Sequence, residues 1–169
     1  LWRKAIGGKL TSPVMCGKHL YVASVNAHTL YALDSEKGDV AWDFVAGGRI
    51  DSPPTVWKGM VLFGCRDGWV YCLASQSGQL VWRTRAAPRE QYIGSYDQLE
   101  STWPVHGSVL VNDGVVYCVA GRSKFLDGGL HMLRMDAATG KILTEKILDH
   151  TDPITGKSLQ KTEVWPEMR

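Results

Sequence analysis

The chain has 169 residues, 44% of them hydrophobic, with seven Trp, 18 Gly and a formal net charge of +2. This composition excludes intrinsic disorder and suits a turn-rich, well-packed β protein. Basic residues are scattered, which excludes the electropositive stripe of a nucleic-acid binder. No charged-then-apolar leader or apolar run of about 18 residues is present, so neither a signal peptide nor a membrane span is expected in this stretch.

The predicted elements recur with a period of 40 residues. Leu30-Tyr31-Ala32-Leu33-Asp34 returns as Val70-Tyr71-Cys72-Leu73-Ala74, and the same step aligns Ser12-Pro13 with Ser52-Pro53, Lys18 with Lys58, Gly38 with Gly78, and Trp2 with Trp42 and Trp82. A unit of this size cannot bury its own apolar faces, so it must stack on copies of itself. The chain opens in mid-pattern at Leu1-Trp2, which reads as the end of a preceding unit, and is expected to be a piece of a larger array. Residues 3–42 and 43–82 read as complete units and 83–144 as a third with insertions, leaving 147–169 as a loop and the start of the next.

The second unit is the clearest. Thr55-Val56-Trp57, Met60-Val61-Leu62-Phe63, Trp69-Val70-Tyr71-Cys72-Leu73 and Gln79-Leu80-Val81-Trp82 are four short β-rich runs, separated by Lys58-Gly59, Asp67-Gly68 and Ser77-Gly78. Those glycines can take the positive φ that tight antiparallel connections require. Met60 to Phe63 is apolar at every position, as expected of a strand covered on both faces. Four-stranded meanders repeated every 40 or so residues predict an all-β fold, a β-propeller fragment of about three antiparallel blades in an incomplete ring. Three blades and a stub cannot close, so their bare terminal faces should expose apolar surface.

Ala32-Leu33-Asp34-Ser35-Glu36-Lys37-Gly38-Asp39-Val40-Ala41-Trp42 resembles the tryptophan-docking motif of the PQQ-like (pyrroloquinoline quinone) β-propeller repeat, Ala-x-Asp-x-x-Thr-Gly-x-x-x-Trp. Cys72 to Trp82 keeps Gly78 and Trp82 but has Ala74 for the Asp; Arg134 to Thr144 keeps Asp136, Thr139 and Gly140 but has Thr144 for the Trp. The resemblance implies blade-docking roles for Asp34, Gly38, Trp42, Gly78, Trp82, Asp136 and Gly140. The Gly would make the turn between the last two strands, the Asp would steady it, and the Trp would pack between blades. An Asp at a turn can accept nearby backbone N–H groups, and a buried Trp removes a large area from water.

Two interruptions mark candidate functional loops, because insertions map away from the stacked core. Ala74 and Asp136 are 62 rather than 40 residues apart. The first insertion, 86–106, holds Arg89, Glu90, Gln91, Tyr92, Tyr96, Asp97, Glu100, Trp103 and His106, and joins the outer strand of one blade to the inner strand of the next. That places it on the rim facing the channel mouth, as a pocket wall or as an ordinary surface loop. The second, 121–129, replaces a tight turn with Gly121-Arg122-Ser123-Lys124-Phe125-Leu126-Asp127-Gly128-Gly129; this run resembles one found in large bacterial proteins with PQQ-like propellers. Arg122 could bind a carboxylate or phosphate bidentately with Asp127 as partner or cation ligand, or the two could pair and hold the loop shut. Trp103, His106, Arg122 and Asp127 are the candidate ligand-binding residues. Asp149-His150-Thr151-Asp152 lacks the spacing of a calcium loop and reads as a solvated turn.

No catalytic residue and no metal site is predicted: Gly-x-Ser-x-Gly, His-Glu-x-x-His and paired Cys-x-x-Cys motifs are all missing from the sequence. Cys16, Cys65, Cys72 and Cys118 are expected as free thiols. A two-residue turn at Asp67-Gly68 would leave Cys65 and Cys72 diagonal at roughly 7–8 Å between Cα atoms, beyond a disulfide's usual roughly 5.5–6 Å.

The resemblance implies one of two activities, and an unrelated catalytic domain beyond this segment would be a third possibility. One is a non-catalytic propeller that binds or scaffolds a protein partner, or a small-molecule or saccharide ligand, at its rim, with no cofactor. The other is part of a quinoprotein alcohol or sugar dehydrogenase, in which PQQ stacks in the channel with Ca²⁺ while an Asp acts as general base. Those enzymes commonly carry an adjacent Cys pair, which this chain lacks. The resemblance also implies a periplasmic or other extracytoplasmic location.

Overall fold

The computed structural model describes residues 2–95, 97–152 and 154–158; Tyr96 and the proposed start of a further blade at 159–169 lie outside them. Among the described residues there are strands and no helix. The first sheet comprises β1 (Val14–Cys16), β2 (His19–Ser24), β3 (Thr29–Asp34) and β4 (Val40–Val45). The second comprises β5 (Thr55–Trp57), β6 (Met60–Gly64), β7 (Trp69–Ala74) and β8 (Leu80–Arg85). A separate hairpin, β9 (Tyr92–Ser95) with β10 (Gln98–Ser101), precedes the third sheet of β11 (Leu110–Asn112), β12 (Val115–Ala120), β13 (Leu130–Asp136) and β14 (Ile142–Leu148). Each four-stranded sheet is an antiparallel meander in chain order, and the chain is a β-propeller fragment with none of its sheets closed.

The middle strands of the second sheet feed two cores. One runs between the first and second sheets, where Tyr21, Ala23, Leu30, Ala32 and Trp42 meet Val61, Phe63, Tyr71 and Leu73. The other runs between the second and third, where Leu62, Val70, Cys72 and Trp82 meet Val116, Cys118, Leu133 and Met135. Alternate residues of β6 and β7 therefore point into different cores, because successive side chains of a strand face opposite ways. The run at Met60 to Phe63 is apolar throughout for this reason.

An indole locks each sheet to the next. Trp2 Nε1 donates to Ser35 O at 2.9 Å, Trp42 Nε1 to Ser75 O at 3.0 Å, and Trp82 Nε1 to Ala137 O at 3.1 Å. Each ring lies on the glycine that closes the receiving turn. A Cβ on Gly38, Gly78 or Gly140 would sit 2.4, 2.6 or 2.5 Å from the ring, and the three φ angles are +75°, +70° and +71°. The glycine is thus required twice, by the backbone and by the indole.

The turn itself is held by its backbone. Gly38 N–H, Gly78 N–H and Gly140 N–H donate to the carbonyls of Asp34, Ala74 and Asp136, each at 2.8 Å. Asp34 Oδ1 also accepts the N–H groups of Glu36 and Lys37, and Asp136 Oδ1 accepts the hydroxyl and N–H of Thr139. These donors hold both carboxyls below the usual carboxylate range. Ala74 lacks the carboxylate yet its turn keeps the same backbone bonds, which explains how the motif tolerates the loss.

Three details differ from the sequence expectations. β4 and β8 run past their tryptophans to Val45 and Arg85, and β14 runs to Leu148, so 147–148 are strand rather than loop. Gly64 is the residue opposite Val70, and the β6–β7 turn takes three residues, Arg66 to Gly68, which moves Cys65 out of the expected diagonal with Cys72. Asp152, expected in a plain solvated turn, begins a further copy of the docking turn: Asp152 Oδ1 accepts Ile154 N–H and Thr155 N–H at 2.7 and 3.0 Å, and Gly156 N–H donates to Asp152 O at 2.8 Å. The signal was present in Asp152-x-x-Thr155-Gly156-Lys157, which repeats Asp136-x-x-Thr139-Gly140-Lys141.

Trp42→Ala or Trp82→Ala should cost about 3–5 kcal/mol of stability in a denaturant titration. Gly78→Ala should cost more than about 1 kcal/mol, since it adds both strain and a clash; a change near zero in either would dismiss the indole lock. Cys16 is exposed and the other three cysteines are buried and unbridged. Burial pushes the Cys72 and Cys118 thiols up to about 12 and, with the Asp67 charge, pushes Cys65 well above its usual value. A thiol reagent should therefore titrate one cysteine in the native chain and four after denaturation.

Candidate functional site

In a meander, the β2–β3 type of turn and the crossover to the next sheet emerge at the same end. The segments 25–28, 46–54, 65–68, 86–95, 97–109 and 121–129 consequently share one face, here called the upper face, and the docking turns occupy the opposite one. Both interruptions of the repeat fall on the upper face. The first is not merely a loop: its centre forms the β9–β10 hairpin. Gln98 on that hairpin reaches back to the first sheet, with its Oε1 2.8 Å from His28 Nε2 and its amide donating to Asn26 O at 3.2 Å.

Beneath the hairpin lies a chain of charges. Arg49 Nη2 is 3.1 Å from Asp51 Oδ1, and Arg66 bridges Asp51 through Nε and Glu100 through Nη1, the latter at 2.6 Å. Glu100 and Arg49 are buried, so each charge needs its partner. Ser101 N–H also donates to Arg66 O at 2.7 Å, which stitches the hairpin to the β6–β7 turn. Sequence reasoning named Glu100 only as a member of the insertion and passed over Asp51 and Arg66, because they meet only when three separate loops converge.

The second interruption folds over Trp103. The indole is 3% exposed, and its Nε1 donates to Asp127 O at 2.8 Å. Arg122 Nη2 meets Asp127 Oδ2 at 2.5 Å while its Nε donates to Thr102 O at 3.2 Å. Arg89 lies 5.2 Å from the Trp103 ring centroid, and His131 stands edge-on to it at 6.3 Å with Nδ1 2.5 Å from Glu145 Oε1. Of the four candidate residues, Trp103, Arg122 and Asp127 are therefore brought into one cluster that braces two loops. His106 is exposed and does not join that cluster. It shares with Arg122 the margin of a cavity of about 570 Å³ on the open face of the third sheet.

The geometry can be set beside known proteins. A family model described as outer membrane protein assembly factor BamB matches residues 1–101 and, overlapping, residues 48–160. The chain belongs to that family. Two overlapping matches are what a repetitive array of PQQ-like blades produces. Among solved structures, BamB from Moraxella catarrhalis is similar at 22% identity and a TM-score of 0.64, over 81% of this chain and 40% of that one. A quinohemoprotein alcohol dehydrogenase from Pseudomonas putida is similar at 21% identity and a TM-score of 0.67, over 81% of this chain and 20% of that one. A europium-containing methanol dehydrogenase is similar at 18% identity and a TM-score of 0.68, over 88% of this chain and 27% of that one. The chain thus spans well under half the length of these proteins, and at such identities the likeness is one of fold. Among curated protein sequences nothing matches.

Glu100→Ala should destabilise the chain by about 1–3 kcal/mol, because it strips a charged hydrogen bond from the partly buried Arg66. Arg122→Ala, whose ion pair is about a third exposed, should cost under about 1 kcal/mol. Thermal or denaturant melts that reverse this order would misplace the structural centre of the upper face.

Proposed function

We propose that this stretch is a non-catalytic PQQ-like propeller region that binds or scaffolds a partner through its upper face. The observation that carries the reading is the use of that face's polar groups: Arg66, Asp51, Glu100, Arg122 and Asp127 are engaged with one another and stiffen the loops. Beside them the stiffened loops expose apolar side chains, Leu99 at 71% on the hairpin with Tyr92 and Leu126, among exposed polar groups such as Arg89 and Asp97. Preorganised loops carrying exposed apolar side chains suit a protein partner, since little ordering entropy remains to be lost on binding. The description of the matching family as an assembly factor supports a protein over a saccharide or other small molecule.

The competing reading, a portion of a PQQ-dependent alcohol or sugar dehydrogenase, asks these residues to hold a quinone and Ca²⁺. They do not fit. On the upper face Asp51, Glu100 and Asp127 are each held by a guanidinium and Asp67 by the Tyr71 hydroxyl and Trp69 N–H, and among the described residues no three His, Cys, Asp or Glu side chains gather as a metal site. Trp103, the aromatic nearest the second insertion, is buried rather than offered as a stacking platform.

Adding PQQ and Ca²⁺ to the full-length protein should give neither stoichiometric quinone absorbance nor dye-linked oxidation of alcohols or sugars; binding together with turnover would overturn the proposal. Leu99→Glu combined with Leu126→Glu should leave the melting temperature unchanged and abolish cross-linking to whatever protein the wild type captures.

A further inference from the structure

The strand register lets the two junctions between sheets be compared position by position. On the face that the second sheet turns toward the first, Tyr71 pairs with Arg83 and Trp69 with Arg85. The matching pairs on the face that the third sheet turns toward the second are Leu133 with Glu145 and His131 with Ile147. The second junction engages its own charge, since Glu145 Oε1 lies 2.5 Å from His131 Nδ1. The first junction does not. The Arg83 guanidinium lies over the Trp69 ring, 4.7 Å from its centroid, and among the described residues no carboxylate forms an ion pair with it.

Arg83 lines a cavity of about 440 Å³ between the outer strands β4 and β8. Phe44 and Val45 wall it on the first sheet, Trp69 and Leu80 on the second, and Glu90 and Tyr92 of the first insertion also line it. Asp67 reaches the same space but is committed, its Oδ1 accepting Trp69 N–H at 3.0 Å and its Oδ2 the Tyr71 hydroxyl at 2.5 Å. Glu90 lies 3.8 Å from Arg85 instead. Both walls are sheets of the described chain, so a further blade at either end would stack on the first or the third sheet and leave this cavity as it is.

We infer that this slot binds a small monocarboxylate with a flat apolar body, such as an aromatic acid. Arg83 supplies the anchor: the indole takes only the face of the guanidinium, which leaves its in-plane N–H fork to grip a carboxylate bidentately. The walls set the body. Two facing sheets with Phe44 on one and Trp69 on the other bound a narrow space that suits a ring, and the cavity falls within the roughly 300–1,000 Å³ of small-ligand sites. The neighbouring carboxylates set the charge, because Asp67 and Glu90 would repel a doubly charged phosphate more than a singly charged acid. This site is separate from the exposed apolar loops of the upper-face reading and does not depend on them.

The test titrates 2-naphthoate, its uncharged counterpart 2-naphthamide and 2-naphthyl phosphate into the full-length protein, followed by calorimetry. Naphthoate should bind saturably and at least about tenfold more tightly than either of the others. Arg83→Gln, at an exposed site, should erase the preference over the amide at an unchanged melting temperature. Leu80→Trp, at a side chain 47% exposed, should plug the slot and abolish binding of naphthoate, again without a change in melting temperature. Binding of none of the three probes, equal affinity for acid and amide, tighter binding of the phosphate, a preference that survives Arg83→Gln, or naphthoate binding untouched by Leu80→Trp would each overturn the inference. None of these outcomes bears on the Leu99 and Leu126 experiment, so the two readings fail separately.

Discussion

Everything in this array depends on an indole resting where a methyl group would otherwise be. A tryptophan near the middle of an outer strand crosses to the following sheet, donates its N–H to a turn carbonyl and lies flat on a glycine. The contact joins a directional bond to the burial of a large ring, and it fixes both the spacing and the rotation of adjacent sheets. Within that constraint the middle strands of the second sheet are apolar on both sides, because each side has a neighbouring sheet. The turn carboxylates contribute locally, and of the three docking turns that receive an indole the one at Ala74 does without.

The polar groups of the upper face follow a different rule. A charge buried under a loop is tolerated only when a partner comes with it, and Arg66 draws its two partners from a crossover and from the hairpin. Charges there bind loops to one another, while Leu99 of the hairpin and Leu126 of the 121–129 loop stay exposed beside polar neighbours. The two insertions thus act as one structure although β11 and β12 separate them in sequence.

The architecture was legible because it is periodic: a 40-residue echo, glycines at tight turns and doubly apolar strands such as Met60 to Phe63 all report local geometry. Strand ends were less legible, since β4 and β8 continue through Asp43 and Arg83, whose exposed polar side chains carry no strand signal. The upper face was the least legible. Nothing in the sequence near Asp51, Arg66 or Glu100 announces that they converge, and Trp103 offers the same letters whether it stacks on a ligand or lies under a loop. The copy of the docking turn at Asp152 was written plainly but sits 16 residues after Asp136, out of step with the period that directed attention elsewhere.

The indole lock also gives the array an arrow. Each ring reaches forward from its own strand to the following turn, never backward. Stripping the leading sheet from such a stack would merely empty a glycine cradle, whereas stripping the trailing one would leave a bare aromatic ring in water. Gain and loss of repeats during evolution should therefore be lopsided: growth and trimming come more easily at the end that receives a ring than at the end that extends one. In the third sheet Thr144 stands at the position that Trp42 and Trp82 hold in the first two.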